Sequence, residues 1–253
     1  MKKALTIAGF DPSGGAGLQA DLKVFQVVGV YGLSAVAALT AQNTRRVESV
    51  EQVSRRFLRK QLDVLLNDLV PDATKMGMLL SKDNVKVAAL IIKKYALNNV
   101  VLDPVIISSS GKRLAEPGLP ALIRKLLLPL CDVITPNIHE ASVLSGLKIR
   151  SQEDMKKAAV ILKDLGPGTV IITGGHLEGL ALDVMYDGSF HYLRAKKRQG
   201  EYHGTGCTFS AAITAYLAQG YSSLEAAKKA KEFMAKAFQK AIRTGSGMKL
   251  FAF

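Results

Sequence analysis

The chain has 253 residues, 48% hydrophobic and 22% charged, the balance of a folded protein able to bury a core without cross-links. Two cysteines, Cys131 and Cys207, and four scattered histidines exclude a disulfide framework and a zinc-type cluster, and they read as free thiols in a reducing compartment. A net charge of +13 admits nucleic acid. Yet there is no Trp, no basic tail and no aromatic–basic stacking cluster. Lys228, Lys229, Lys231, Lys236 and Lys240 alternate with Leu224, Ala227, Ala230, Phe233, Met234, Ala237 and Phe238, as the polar side of one amphipathic helix does. A surface biased toward anionic small molecules is expected, with no nucleic-acid partner.

The basic start and brief apolar run of Met1–Phe10 are too short for a secretory signal. No run reaches the length of a membrane span, so a cytoplasmic protein without membrane contact is expected. Lys3–Gly9 reads as a short buried strand. Asp11-Pro12-Ser13-Gly14-Gly15-Ala16-Gly17 is a loop by its Pro and Gly content. It is neither a Walker A loop nor a good dinucleotide fingerprint. Leu18, Leu22, Phe25 and Val28 space a helix. Gly32–Thr40 reads as a strand ending in Ala41-Gln42-Asn43-Thr44, Ser54–Leu69 as a helix, Ala73–Met78 as a strand with a close-packed Gly77, and Lys82–Tyr95 as a helix.

Asn99–Val105 is β-rich throughout, the pattern of a strand buried on both faces. Pro117–Leu130 reads as a helix with Pro120 in its first turn. Asp132–Asn137 is the next strand, followed by a helix through Glu140 to Leu144. Ser151-Gln152-Glu153-Asp154 is a capped helix start with an acidic first turn. Thr169–His176 is another strand, ending in glycines, and Asp187-Gly188 joins Asp183–Tyr186 to Phe190–Leu193 as a hairpin. Two helices close the chain, Cys207–Ala218 and Ser223–Arg243. Strands alternating with helices predict an α/β fold, a mostly parallel central sheet with helices on both faces. One domain over 1–253 is expected. Ligands of such sheets bind beyond the carboxyl ends of the strands. The Asp11 loop, Gln42, Asn137 and the Gly174 turn each follow a strand and can share one rim.

His203-Gly204-Thr205-Gly206-Cys207-Thr208 runs directly into an apolar helix. Two glycines allow a tight turn, and the first helical amides have no intrahelical partners. Such an end attracts anions, and a thiol in that field is expected to have a lowered pKa. The alternative is a Gly-punctuated helix start with a small buried cysteine.

The first-loop run Ala8–Asp21, with Ala41-Gln42-Asn43-Thr44, Thr135-Pro136-Asn137, Gly174-Gly175-His176 and His203–Thr208, resembles the ribokinase-like small-molecule kinases. Within them it is similar to the hydroxymethylpyrimidine/phosphomethylpyrimidine kinases of thiamine biosynthesis, which also carry Cys where most ribokinase-like kinases carry Asp. The resemblance covers essentially the whole chain. It implies ATP and Mg²⁺ as cofactors, a pyrimidine substrate and a homodimer. It also implies that amides of Gly204, Thr205, Gly206 and Cys207 stabilise charge on the transferring phosphoryl group, with Cys207 receiving or steering the hydroxyl proton. Gly9, Ala16, Asp21, Gln42, Met78 and Val105 would bind the pyrimidine, Asp21 at its hydroxymethyl group and Gln42 at a ring nitrogen and amine. Otherwise Gln42 is a strand-end cap, Asp21 an exposed early-helix carboxylate, and Met78 and Val105 plain core.

By the same resemblance Asn137, Thr173 and Gly175 serve the nucleotide, and Asn137 and Glu140 handle Mg²⁺ through water. Otherwise Asn137 and Glu140 are a helix cap and a solvated acid. Family members commonly have Lys where this chain has Thr173; Lys75, also at a strand end, is a candidate replacement. His176 and His203 are expected to be structural or to position loops. Competing functions are a pyridoxal/pyridoxine kinase on the same scaffold, a thiol-dependent hydrolase or transferase using Cys207 and His203, and a nucleic-acid binder.

Overall fold

The computed structural model describes residues 1–107, 116–175, 181–196 and 198–253. Its centre is a nine-stranded sheet in the order β3-β2-β1-β4-β5-β6-β7-β8-β9. The strands are β1 Lys3–Phe10, β2 Tyr31–Gln42, β3 Val47–Gln52, β4 Ala73–Met76, β5 Val100–Leu102, β6 Val133–Ile134, β7 Thr169–Ile172, β8 Ala181–Tyr186 and β9 Phe190–Ala195. Neighbours from β2 through β7 are parallel; β3, β8 and β9 add antiparallel edges. The mostly parallel arrangement agrees with the expected fold class.

The helices are α1 Gly17–Val28, α2 Arg55–Leu66, α3 Lys82–Lys94, α4 Leu119–Leu126, α5 Ile138–Ser145, α6 Gln152–Asp164, α7 Thr205–Ala218 and α8 Ser223–Gln239. They pack on both faces. One core layer joins the sheet to α2–α6, through Leu58, Leu62, Val85, Ile91, Ile123 and Leu162 among others. The other joins it to α1, α7 and α8, through Val24, Phe25, Ile213, Ala227 and Met234. Along β4 the alternation of a strand sends Ala73 to the α1/α7 layer and Met76 to the other.

Sequence reasoning missed β3, because Val47-Glu48-Ser49-Val50-Glu51-Gln52 lies at the sheet edge and is largely exposed, so it shows no buried face. The helix expected over Pro117–Leu130 ends at Leu126 and gives way to a 3₁₀ turn, Leu128–Leu130, that carries Pro129. Proline cannot supply the N–H that a continuing α-helix needs. The last helix stops at Gln239, short of Arg243. The hairpin about Asp187-Gly188 is present.

Strand order fixes where a ligand belongs. From β1 the chain moves to β2 and β3 on one side, then crosses to β4 on the other. Such a reversal opens a crevice at the carboxyl ends of the strands. The loop Asp11–Ala16 and the start of α1 sit there. Among the described residues no helix is long and apolar enough to cross a membrane.

Leu62 lies wholly inside the core layer under α2. Leu62→Ala is expected to lower stability by about 2–5 kcal/mol, the range for emptying a large aliphatic site. Urea unfolding followed by circular dichroism measures it, and a loss well under that range would mean the layer closes over the gap.

Candidate active site

Two chain segments far apart in sequence meet at this crevice. Asp11, almost wholly buried, organises the first loop. Its Oδ1 accepts from the Ser13 amide at 2.8 Å and the Ser13 hydroxyl at 2.7 Å, and its Oδ2 accepts from the Ala16 amide at 2.8 Å. His203 Nε2 lies 2.9 Å from the same Oδ2, across 192 residues of chain. Burial works to raise the Asp11 carboxyl, but hydrogen bonds from His203 and Ser13 outweigh it and bring it down to about 2. The backbones meet as closely. Gly204 has φ +78°, and a Cβ on it would collide with the carbonyl oxygen of Gly15. Gly17 has φ +58°, and its Cβ would collide with the carbonyl of Gly9. Only glycine combines that conformation with that approach.

This seam brings two helix starts together. The N-caps of α1 and α7 are Ala16 and Gly204, and neither start has a side-chain cap. Ser54, Ser81, Asn137, Ser151 and Ser222 cap α2, α3, α5, α6 and α8, while α4, which starts after Gly118, also has no side-chain cap. The first-turn amides of α7 therefore remain available to an anion. Gly206 is exposed, and Thr205 and Cys207 are half-buried. The Gly17 amide donates to the Cys207 sulfur. Beside them, Thr208 Oγ1 and His203 Nδ1 are buried without a partner among the described residues.

The expected low thiol pKa of Cys207 is overturned. Burial pushes the thiol up to about 12, with Asp103 and Asp21 adding to the rise and Lys75 and the Gly17 amide opposing it. One edge of the residue reaches the crevice, while the sulfur lies against the charged groups beneath. The helix-start field is real, but local desolvation exceeds it.

Two expectations for charged residues are also corrected. Asp21 does not stand exposed at the start of α1, and its carboxyl is engaged within the protein. It is wholly buried, accepting from Thr6 Oγ1 at 2.6 Å and from Lys75 Nζ at 2.7 and 2.8 Å. Lys75 is equally buried, so it cannot replace the family lysine on nucleotide phosphate. Burial disfavours its charge, but Asp21, Cys207 and Asp103 together hold its proton firmly. The sequence showed both residues, but nothing local to either signals a partner 54 residues away.

The remaining candidates line the rim. Met78 is half-buried, and its methyl lies where a Gly9 side chain would project. Val105 follows β5, next to the strand that leads to Met78; the Asp103 amide donates to the Met76 carbonyl at 2.8 Å. Neither Met78 nor Val105 is sealed in the core. Ala16 is half-buried at the seam. Gln42 ends β2 half-buried, and no described residue bonds its side-chain amide, which leaves its donor and acceptor unused rather than spent as a strand-end cap.

Across the sheet, Asn137 and Glu140 form a capping box on α5: Asn137 Oδ1 accepts from the Glu140 amide and Glu140 Oε2 from the Asn137 amide, both at 2.9 Å. The capping alternative thus holds, but the acid is buried rather than solvated. Burial, then repulsion from Asp103, pushes the Glu140 carboxyl up to about 8. Asp103, buried at the end of β5 with Ser210 Oγ donating to it at 3.1 Å, was missed. An acidic residue closing an apolar run, just before Pro104, was the available signal.

Thr173 bridges Asn137 through the backbone, so these two nucleotide candidates adjoin. The amide of Gly174 donates to Asp183 Oδ1 at 3.1 Å, and Asp183 Oδ2 pairs with Lys231 at 2.6 Å. That pair holds the turn on which Gly175 stands exposed. His176 lies outside the described residues.

The family model described as phosphomethylpyrimidine kinase matches residues 11–251. The hydroxymethylpyrimidine/phosphomethylpyrimidine kinase of Bacillus subtilis is 43% identical, over 97% of this chain and 92% of its own. Among solved structures, a phosphomethylpyrimidine kinase from Clostridium difficile superposes with a TM-score of 0.85 at 41% identity, covering 94% of this chain and 100% of that one. The pyridoxal kinase of Staphylococcus aureus, in complex with AMP-PCP and pyridoxal, superposes at 0.92 with 40% identity, covering 100% of this chain and 93% of that one.

Asp11 supplies a pH-dependent part of stability. A depressed carboxyl stabilises the fold fully above about pH 4, and that contribution is lost as the pH falls through about 2. The shift corresponds to about 2 kcal/mol. Urea midpoints of Asp11→Asn should fall below those of the unsubstituted chain at neutral pH, the gap narrowing from about pH 4 downward. A gap independent of pH would show that charge at Asp11 is not what holds the seam.

Proposed function

Because the chain belongs to the phosphomethylpyrimidine kinase family, we propose that it transfers the γ-phosphoryl group of ATP to the primary alcohol of 4-amino-5-hydroxymethyl-2-methylpyrimidine, and then to the resulting monophosphate. The observation that carries this reading is the meeting of two uncapped helix starts at the strand-order reversal, with Cys207 between them. Phosphoryl transfer asks mainly for positioning and for donors aimed at developing charge. The amides of Gly204, Thr205, Gly206 and Cys207 are such donors. Gly9, Ala16, Met78 and Val105 would enclose the ring, while the free amide of Gln42 reads a ring nitrogen and its neighbouring amine. Cys207 takes or steers the hydroxyl proton. Asp21 acts from beneath, through Lys75.

Thr173, Gly175 and Asn137 would receive the nucleotide. The donor set fits Mg²⁺: a buried carboxyl at Glu140, its charge disfavoured by burial and by Asp103, gains from a hard cation held through water with Asn137. Bound there, the ion would neutralise charge on the phosphates. The whole of 1–253 serves as one catalytic unit in this reading. The homodimer implied by the family is compatible with apolar side chains left exposed at Phe10, Tyr31 and Leu39 on the β1–β2 side of the sheet.

Incubating the purified protein with Mg-ATP and the pyrimidine alcohol should yield phosphoester, with pyridoxal run in parallel as the rival acceptor. Product from pyridoxal alone would transfer the assignment to the rival. Gln42→Ala should weaken pyrimidine binding by about 1–3 kcal/mol, the cost of an unmade buried hydrogen bond, and leave ATP binding intact. Calorimetric titration of each ligand tests this; equal loss for both would assign Gln42 a structural part.

A further inference from the structure

Lys75 and Asp21 have no exposed surface, and Thr6 Oγ1 donates at 2.6 Å to Asp21 Oδ2, an oxygen that Lys75 also reaches. An ammonium has three donors; two reach Asp21 at 2.7 and 2.8 Å, and no other described residue accepts from Lys75. The ionisable groups facing it are Asp21 from α1, Asp103 from the end of β5 and Cys207 from the start of α7. A buried ion pair is a poor device for stability, since a well-packed apolar pair does as well or better. β4, which carries Lys75, packs against α7, which carries Cys207, and α1, which carries Asp21, packs against α7 as well.

We propose that Lys75, held in place by Asp21, is a positioning residue of the transfer step, its charge stabilising the thiolate of Cys207 that accepts the substrate proton. The inference rests on the reading of Cys207 as proton acceptor. The sulfur is protonated at rest; it first gives its proton to solvent water, the proton that the overall transfer releases, and the resulting thiolate then forms an S–H bond with the hydroxyl proton. The O–H electron pair stays on oxygen and forms the new bond to the γ-phosphorus. The bond from the γ-phosphorus to its bridging oxygen breaks, and that pair leaves with ADP. Without a nearby cation only the Gly17 amide would favour the thiolate, against its own desolvation, Asp103 and Asp21. Lys75 supplies the attraction, and Asp21 orients Lys75 while partly offsetting it.

The test is the rate of iodoacetamide alkylation of Cys207, proportional to its thiolate fraction. The background is Cys131→Ala, which removes the other thiol; Cys131 is buried, with its Sγ on the Leu127 carbonyl at 3.1 Å. Lys75→Met should slow alkylation about tenfold, the effect of one pKa unit. Asp21→Asn should accelerate it: the amide oxygen still accepts from Lys75 Nζ and keeps it in place, while the opposing negative charge is gone. A purely structural pair predicts the same direction for both, since either loss loosens the site and exposes the sulfur. An unchanged or faster rate in Lys75→Met overturns the proposal. The double variant removes both members of the pair, leaving Asp103 held by Ser210, and should fall between the unsubstituted background and Lys75→Met. Should a single variant fail to fold by circular dichroism, the double variant decides: a rate below the background supports the proposal, and one equal or higher overturns it. Kinase assays on the same set keep the two readings apart. The expected order without phosphoester formation in the background refutes the pyrimidine reading and leaves the Lys75–Cys207 coupling supported. Phosphoester formation with the wrong order refutes the role of Lys75.

Discussion

The contact between His203 and Asp11 joins two loops separated by most of the chain. Everything at the crevice depends on it. Asp11 already holds its own loop through Ser13 and Ala16, so the histidine draws in a preformed turn rather than a mobile strand. Gly204 then packs on Gly15, backbone against backbone. A side chain at Gly204 would separate α1 from α7 and dissolve the paired helix starts. The carboxyl terminus reinforces the same seam: the His203 amide donates to the Lys249 carbonyl at 2.9 Å, and Tyr202 stacks with Phe251 at 5.9 Å. The last residues thus brace a loop that contacts the first.

The two layers of this site do opposite electrostatic work. Above, uncapped amides face the crevice and favour negative charge arriving from solvent. Below, Asp21, Lys75 and Asp103 are sealed from water, and Cys207 bridges the two regions. With two carboxylates and one ammonium, the lower cluster resists a further negative charge on sulfur. Burial of the sulfur first, and this cluster's carboxyls second, raise the pKa of a cysteine that stands at a helix start. The proton transfer proposed for this sulfur would therefore belong to the assembled complex rather than the free enzyme. It also suits a loose phosphoryl transition state, which makes modest demands on a base. Glu140 and Asp103, both buried, likewise repel one another, and the Glu140 carboxyl is pushed up by burial and by that repulsion.

The alternation of apolar strands with amphipathic helices is a local property, so the parallel sheet and most element positions were legible directly. Glycine-rich loops at strand ends marked the rim, because a tight turn and free amides leave a trace in consecutive residues. The exposed edge strand Val47–Gln52 escaped, since an edge without a buried face has no periodicity to read. The roles of Asp21, Lys75, Cys207 and Asp103 escaped for another reason. Desolvation and Coulomb interaction depend on distance through space, and Thr6, Asp21, Lys75 and Cys207 come from β1, α1, β4 and α7. Their one-dimensional neighbourhoods suggest an exposed helix acid, a strand-end cation and an activated thiol. Enclosure between the sheet and two helices makes them a buried ion pair under a protonated sulfur. The amino-acid order by itself determined the fold class and the loops that meet a ligand, because those follow from local periodicity and backbone freedom. Only the tertiary structure decided the charge state of the site, because burial and partnership are set by which segments pack together.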